Sequence, residues 1–173
     1  MNSKLQKIFH QLESEKNELF TLLATMPEKK LTEVPATGGW TILQIVAHLI
    51  TSEKLSTAYM KKKSIGIDTL DNSGFVETIK MVMLKFSQRL PFKFKAPAIV
   101  VQHTVTAQSL TELKTQWDEV RAELKNVMET IAEKNVRKKI YKHPIVGRLD
   151  SAQAMTFFRE HFYHHYPQIK RLL

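Results

Sequence analysis

Between Leu113 and Ile131 the apolar residues Leu113, Trp117, Val120, Leu124, Val127 and Ile131 recur at alternating steps of four and three. A helix turns by about 100° per residue, so such steps hold all six side chains in one stripe. A strand alternates faces at every residue and would scatter the same six over both sides. The seam is too short for a free-standing coiled coil and reads as the inward face of a bundle helix.

Three other segments share this period. Residues 3–26 carry Leu5, Ile8, Phe9, Leu12, Leu19, Leu22, Leu23 and Met26. Residues 41–63 carry Ile42, Ile45, Val46, Leu49 and Met60, and the final segment runs from Asp150 to near Leu172. Each of the four starts at a residue pair with capping-box spacing: Ser3 with Gln6, Thr41 with Gln44, Ser109 with Glu112, Asp150 with Gln153. There a side-chain oxygen satisfies a backbone N–H that the first helical turn leaves unpaired. A shorter helix is predicted over 75–90, with Phe75, Ile79, Val82, Met83, Phe86 and Leu90 as its apolar positions.

Between these segments, 27–40 and 64–74 read as loops, punctuated by Pro27, Pro35, Gly38, Gly39, Gly66 and Gly74. Residues 91–108, bracketed by Pro91 and Pro97, have no clear period and read as an irregular excursion; Ile99-Val100-Val101 is too isolated to demand a sheet. Residues 133–149 are polar and basic and end in a turn at Pro144 and Gly147. With only 5 Gly and 6 Pro in 173 residues, the expectation is all-α. We expect one four-helix-bundle domain over 1–173, with a long elaborated connection between the second and third main helices.

The chain has no cysteine. Disulfides, thiolate zinc sites and a cysteine nucleophile are thereby excluded, and any thiol in its chemistry must come from outside. The net charge is +9, but its basic residues are spread as Lys29-Lys30, Lys61-Lys62-Lys63, Lys93, Lys95 and Arg137-Lys138-Lys139. That scatter reads as a solvated surface and argues against a nucleic-acid partner. The amphipathic N-terminus is no signal core, and no apolar run is long enough to span a membrane, so a soluble cytoplasmic protein is expected.

Three of the seven histidines lie within five residues, in Phe157-Phe158-Arg159-Glu160-His161-Phe162-Tyr163-His164-His165. With Ala154 at zero on a helical wheel, Phe157, Phe158, Ile169 and Leu172 define the apolar stripe. His161 at about −20° and His165 at about +20° fall in its middle. An imidazole placed where a core leucine belongs needs a hydrogen-bond partner or a metal, because burying it unpaired costs about 1–3 kcal/mol. Helical residues at i and i+4 can ligate one metal, and a bundle adds further ligands from a facing helix. His48, on the flank of the second helix, is the best third donor. The alternative is a stacked histidine pair in the core with no metal.

His164 falls at the stripe edge, as a neighbour of the site and not a ligand. Glu53, just beyond His48, is a candidate base or a carboxylate that orients an imidazole, with an exposed position as its ordinary alternative. His103 and His143 lie in loops that nothing in the sequence places, and His10 reads as a surface residue. Pro167 cannot donate to the carbonyl of Tyr163, so a kink or loosening is expected after His165. No nucleophile elbow, phosphate-binding glycine loop or His-Glu-x-x-His motif is present.

Trp40 ahead of Ile45-Val46-Ala47-His48-Leu49 and Glu53, followed by His143-Pro144, Gly147 and His161-x-x-His164-His165-x-x-Gln168-Ile169, resembles the DinB/YfiT-like superfamily over essentially the whole chain. The resemblance implies a four-helix bundle that binds a divalent metal through His48, His161 and His165. It also implies a homodimer and, in characterised relatives, thiol-dependent S-transfer; other relatives are regarded as metal-dependent hydrolases.

The sequence reading is therefore a metal-dependent enzyme of S-transferase or hydrolase type acting on a small molecule. Three neutral imidazoles suit Zn or Ni first, with Fe, Mn and Cu also open. A low-molecular-weight thiol would be the cosubstrate, and no membrane is involved. The rival reading is a non-enzymatic, stress-associated bundle whose histidines are structural or whose metal only stabilises it.

Overall fold

The computed structural model describes residues 1–36, 38–89, 100, 104 and 108–173. Helix accounts for 73% of the described residues. The helices are α1 (Ser3–Ala24), a short α2 (Glu28–Thr32), α3 (Ile42–Ser64), α4 (Phe75–Arg89), α5 (Leu110–Thr130) and α6 (Ser151–Leu172). Single 3-10 turns lie at Ile67–Thr69 and Glu133–Asn135. A small antiparallel hairpin joins β1 (Tyr141–His143) to β2 (Gly147–Leu149), with Tyr141 opposite Leu149 and His143 opposite Gly147.

Three of the expected capping boxes form, at Thr41, Ser109 and Asp150, each with both reciprocal hydrogen bonds. The fourth does not. Helix α1 is capped one residue earlier, by Asn2, whose side chain accepts from the Lys4 N–H at 2.8 Å. Asparagine caps as well as serine does, and here its side chain takes that role. The predicted loop 27–40 contains α2, which buries Leu31 against the bundle. The expected excursion over 91–108 falls almost entirely outside the described residues, as does His103.

Two apolar clusters fill the bundle. One joins Leu5, Phe9 and Leu12 of α1 with Met60 of α3, Leu124 and Met128 of α5, and Met155 and Phe158 of α6. The other joins Leu19 and Leu23 of α1 with Ile42, Val46 and Leu49 of α3, Leu113 and Trp117 of α5, and Phe162 and Ile169 of α6. The start of α1 thus meets the ends of α3 and α5 and the start of α6. Helices α1 and α6 run one way, α3 and α5 the other. Because the second and third long helices are parallel, their connection must travel back along the bundle. Helix α4 lies in that connection.

Helix α4 lies on α6. It buries Met81 and Leu84, while the side chains that define its apolar stripe face away, with Phe75 79%, Met83 65% and Phe86 69% exposed. Helix α6 runs through Pro167 to Leu172 without a break.

Candidate metal centre

His48 is held on α3 by an apolar face. Ile45, Val46 and Leu49 around it are buried in the core, which fixes the helix rotation and turns the imidazole inward. His161 and His165 are one turn apart on α6, whose rotation is fixed by Phe158, Phe162 and Ile169. Packing α3 against α6 brings the three rings together. The Nε2 atoms of His48 and His161 are 3.3 Å apart, and those of His165 and His161 are 3.2 Å apart. Candidate ligand atoms of all three lie within 4.8 Å of one another.

These nitrogens cannot satisfy one another. His165 Nδ1 faces Gln168 Oε1 at 3.2 Å, and an amide oxygen only accepts. Nδ1 therefore donates, and Nε2 presents a lone pair. His161 Nε2 sits between that nitrogen and His48 Nε2 and has at most one proton to share. The buried Nδ1 of His48 has no hydrogen-bond partner. A cation among the three Nε2 atoms takes up their lone pairs and places the proton of His48 on Nδ1. Tetrahedral zinc, with Zn–N bonds of 2.0–2.1 Å, sets its nitrogens about 3.3 Å apart, close to the His48–His161 and His161–His165 separations. The residues fit a divalent metal.

The electrostatics favour the ligand form of each ring. Burial, aided by His164, pushes His48 down to about 4. Burial, then the charges of His48 and His164, pushes His165 down to about 3. His161 is held well below its ordinary value by burial and then by its two partners. All three imidazoles are neutral near pH 7, as metal coordination requires.

Aromatic rings shape the surroundings. Trp40 lies against His48 with ring centroids 4.8 Å apart, and Phe157 stacks on His161 at 5.5 Å. Trp40 follows Gly38 and Gly39, whose φ angles of 74° and 111° suit only glycine. His164 is half-buried, its ring 5.0 Å from that of His165, beside the cluster as expected.

Glu53 departs from expectation. It is neither exposed nor turned to an imidazole. Its carboxylate accepts from Arg121 Nε and Nη2 at 2.7 and 2.8 Å and from Trp117 Nε1 at 3.0 Å, all buried. The reason is position: α5 supplies a fixed guanidinium fork on that side of α3, and burying a carboxylate demands such a partner. His10 is exposed, as read.

His143 was left unplaced by the sequence. It is buried on β1, where its Nδ1 accepts the N–H groups of Ile145 and Val146 at 3.1 and 3.2 Å, which puts its proton on Nε2. Its ring meets Phe157 edge-on at 4.4 Å. Sequence reasoning also assigned no role to Gln168, although its spacing of three after His165 was the available signal.

A helical bundle with three neutral imidazoles facing one point defines a protein with a candidate metal-binding centre. A family model described as DinB superfamily matches residues 11–169, and the chain belongs to that superfamily. Comparison with the curated proteins and with the solved structures gives no match. No helix among the described residues is long and apolar enough to cross a membrane.

Proposed function

We propose that this chain is a metal-dependent enzyme of thiol S-transferase or hydrolase type, with His48, His161 and His165 as the ligands of one divalent metal. The convergence of three neutral imidazoles, two of their Nε2 pairs 3.2–3.3 Å apart and all three within 4.8 Å, carries the reading. When bound, the metal supplies Lewis acidity that lowers the pKa of a thiol or a water brought to it.

The chain's own residues have definable parts in this. Gln168 holds the proton of His165 on Nδ1 and keeps its Nε2 free to bind. Trp40 and Phe157 form apolar walls beside His48 and His161, which lower the local dielectric and limit water. The buried carboxylate nearest His48 in the helix, Glu53, is taken up by Arg121 and Trp117. Three neutral ligands leave the metal's positive charge uncompensated, which suits an anionic fourth partner such as a thiolate. That thiol is external, because the chain has no cysteine. Zn and Ni head the candidate metals, since imidazole donors suit both.

The test has two stages. Elemental analysis of the purified protein should find about one metal per chain, and His161→Ala should lose it. Stoichiometric metal in that variant would sink the assignment. The metal-loaded protein is then screened with several cellular thiols and a common electrophile. Turnover that is absent in His161→Ala supports transfer; turnover with water alone points to hydrolysis.

A further inference from the structure

Helix α4 shows its apolar face to the outside. Phe75, Val76, Ile79, Val82, Met83 and Phe86 are all substantially exposed, while Met81 and Leu84 turn inward against α6. An apolar patch of this kind marks an interaction surface.

The border of the patch identifies the occupant. With Phe75 at zero on a helical wheel, the six outward residues span about −20° to +100°, and Lys80 at about +140° and Lys85 at about −80° stand on either side. Both lysines are exposed. The one acidic residue of the helix, Glu77, turns back to Lys139 at 3.0 Å. The hairpin extends this cationic border. Lys80 Nζ lies 4.0 Å from the point where a side chain on Gly147 would begin. Next to Gly147, Arg148 stands directly opposite Lys142, both exposed, and Ile145 at the hairpin tip is 66% exposed. Like charges placed opposite each other repel, and among the described residues no carboxylate pairs with Lys80, Lys142 or Arg148.

An apolar stripe edged by lysines is the form of a helix that lies in a bilayer surface. Its apolar side chains enter the acyl boundary, and the lysine stems reach back to the headgroups. We propose that α4, together with the hairpin tip, is a docking surface for an anionic phospholipid bilayer. The expectation of no membrane rests on the missing span, which bears on crossing a bilayer and not on lying upon it. The net charge of +9 adds attraction from farther out. Because α4 packs on α6, a bilayer on this face lies one helix away from the helix that carries His161 and His165.

Sedimentation of the full chain with vesicles tests this. The protein should pellet with phosphatidylcholine vesicles that contain phosphatidylserine, at least about 10-fold more tightly than with phosphatidylcholine alone, and added salt should weaken the binding. Phe86→Glu should abolish it. Lys142→Glu combined with Arg148→Glu should weaken it by roughly 10-fold or more. Circular dichroism should be unchanged in both variants, since all three positions are exposed. The chain has no cysteine, so a polarity-sensitive dye on Val82→Cys reports this face alone. Its emission should shift to the blue with the anionic vesicles, and the same dye on Glu18→Cys, exposed on α1, should not respond. No pelleting with anionic vesicles at low salt, pelleting that survives Phe86→Glu or ignores the charge reversal, or equal dye responses at the two positions would each overturn the proposal. So would a dimer in lipid-free solution that Phe86→Glu dissociates, which would give the face to a second copy of the chain.

Discussion

Arg121 grips Glu53 with two nitrogens, Nε at 2.7 Å and Nη2 at 2.8 Å, deep between α3 and α5. Trp117, one turn earlier on α5, donates to the same carboxylate. The pair orders the interface beside the candidate metal centre without entering it.

Removing one partner of this pair should be costly. Arg121→Met leaves a buried carboxylate with a single neutral donor and should destabilise the protein by about 3–5 kcal/mol in urea unfolding. Replacing both, as Arg121→Met with Glu53→Leu, should recover most of that loss. Metal content in folded protein should be unchanged in either variant; its loss would bring Glu53 back into the centre.

Gln168 offers a more local probe. Gln168→Ala frees His165 Nδ1 from its acceptor and lets the ring turn and change tautomer. Metal affinity should fall by about 10–100-fold, as for other residues that orient a ligand. Competition with a chromogenic chelator measures it, and thermal stability of the metal-free protein should barely change.

The metal-free protein should be acid-sensitive over a defined window. The folded-state values of His48 and His143 lie near 4 and that of His165 near 3, below the ordinary 6.5. Below pH 6.5 the unfolded chain therefore binds more protons than the folded one. Stability is complete above about 6.5 and falls as pH drops toward 4, by about 1.4 kcal/mol per pH unit for each such imidazole. Melting temperatures from pH 7.5 to 4.5 test this. His143→Phe should start lower, having lost the two backbone bonds to Nδ1, but should show a shallower slope by one proton.

Gly147, opposite His143 in the hairpin, has φ of 82°. A side chain there strains the backbone, though the nearest atom to an added Cβ, Lys80 Nζ, is 4.0 Å away. Gly147→Ala should cost about 1 kcal/mol through conformation alone, read as a lower melting temperature with metal binding retained.

Much of the architecture is local physics, and the sequence carries it. The three-and-four steps from Leu113 to Ile131 set a helix and its inner face. Thr41, Ser109 and Asp150 set three helix starts, because a capping box involves only residues three apart. His161 and His165 stood out because one turn separates them in an apolar stripe. His48 was reachable as the helical histidine beside another stripe, and the structure does bring its Nε2 to 3.3 Å from that of His161.

Where contacts cross between elements, the sequence was silent or misleading. Glu53 looked like a neighbour of His48 along α3, yet its partners come from α5, 64 and 68 residues away. The outward stripe of α4 has the same period as an inward one, since periodicity defines a face and not what it meets. His143 gained its place only when the hairpin folded over Phe157. The sequence by itself determined helix, period and the identity of three inward imidazoles, because these depend on residues a turn apart. Which charge neutralises which, and that the apolar stripe of α4 faces outward, only the tertiary structure decided, because burial and ion pairing are settled by whatever element packs alongside.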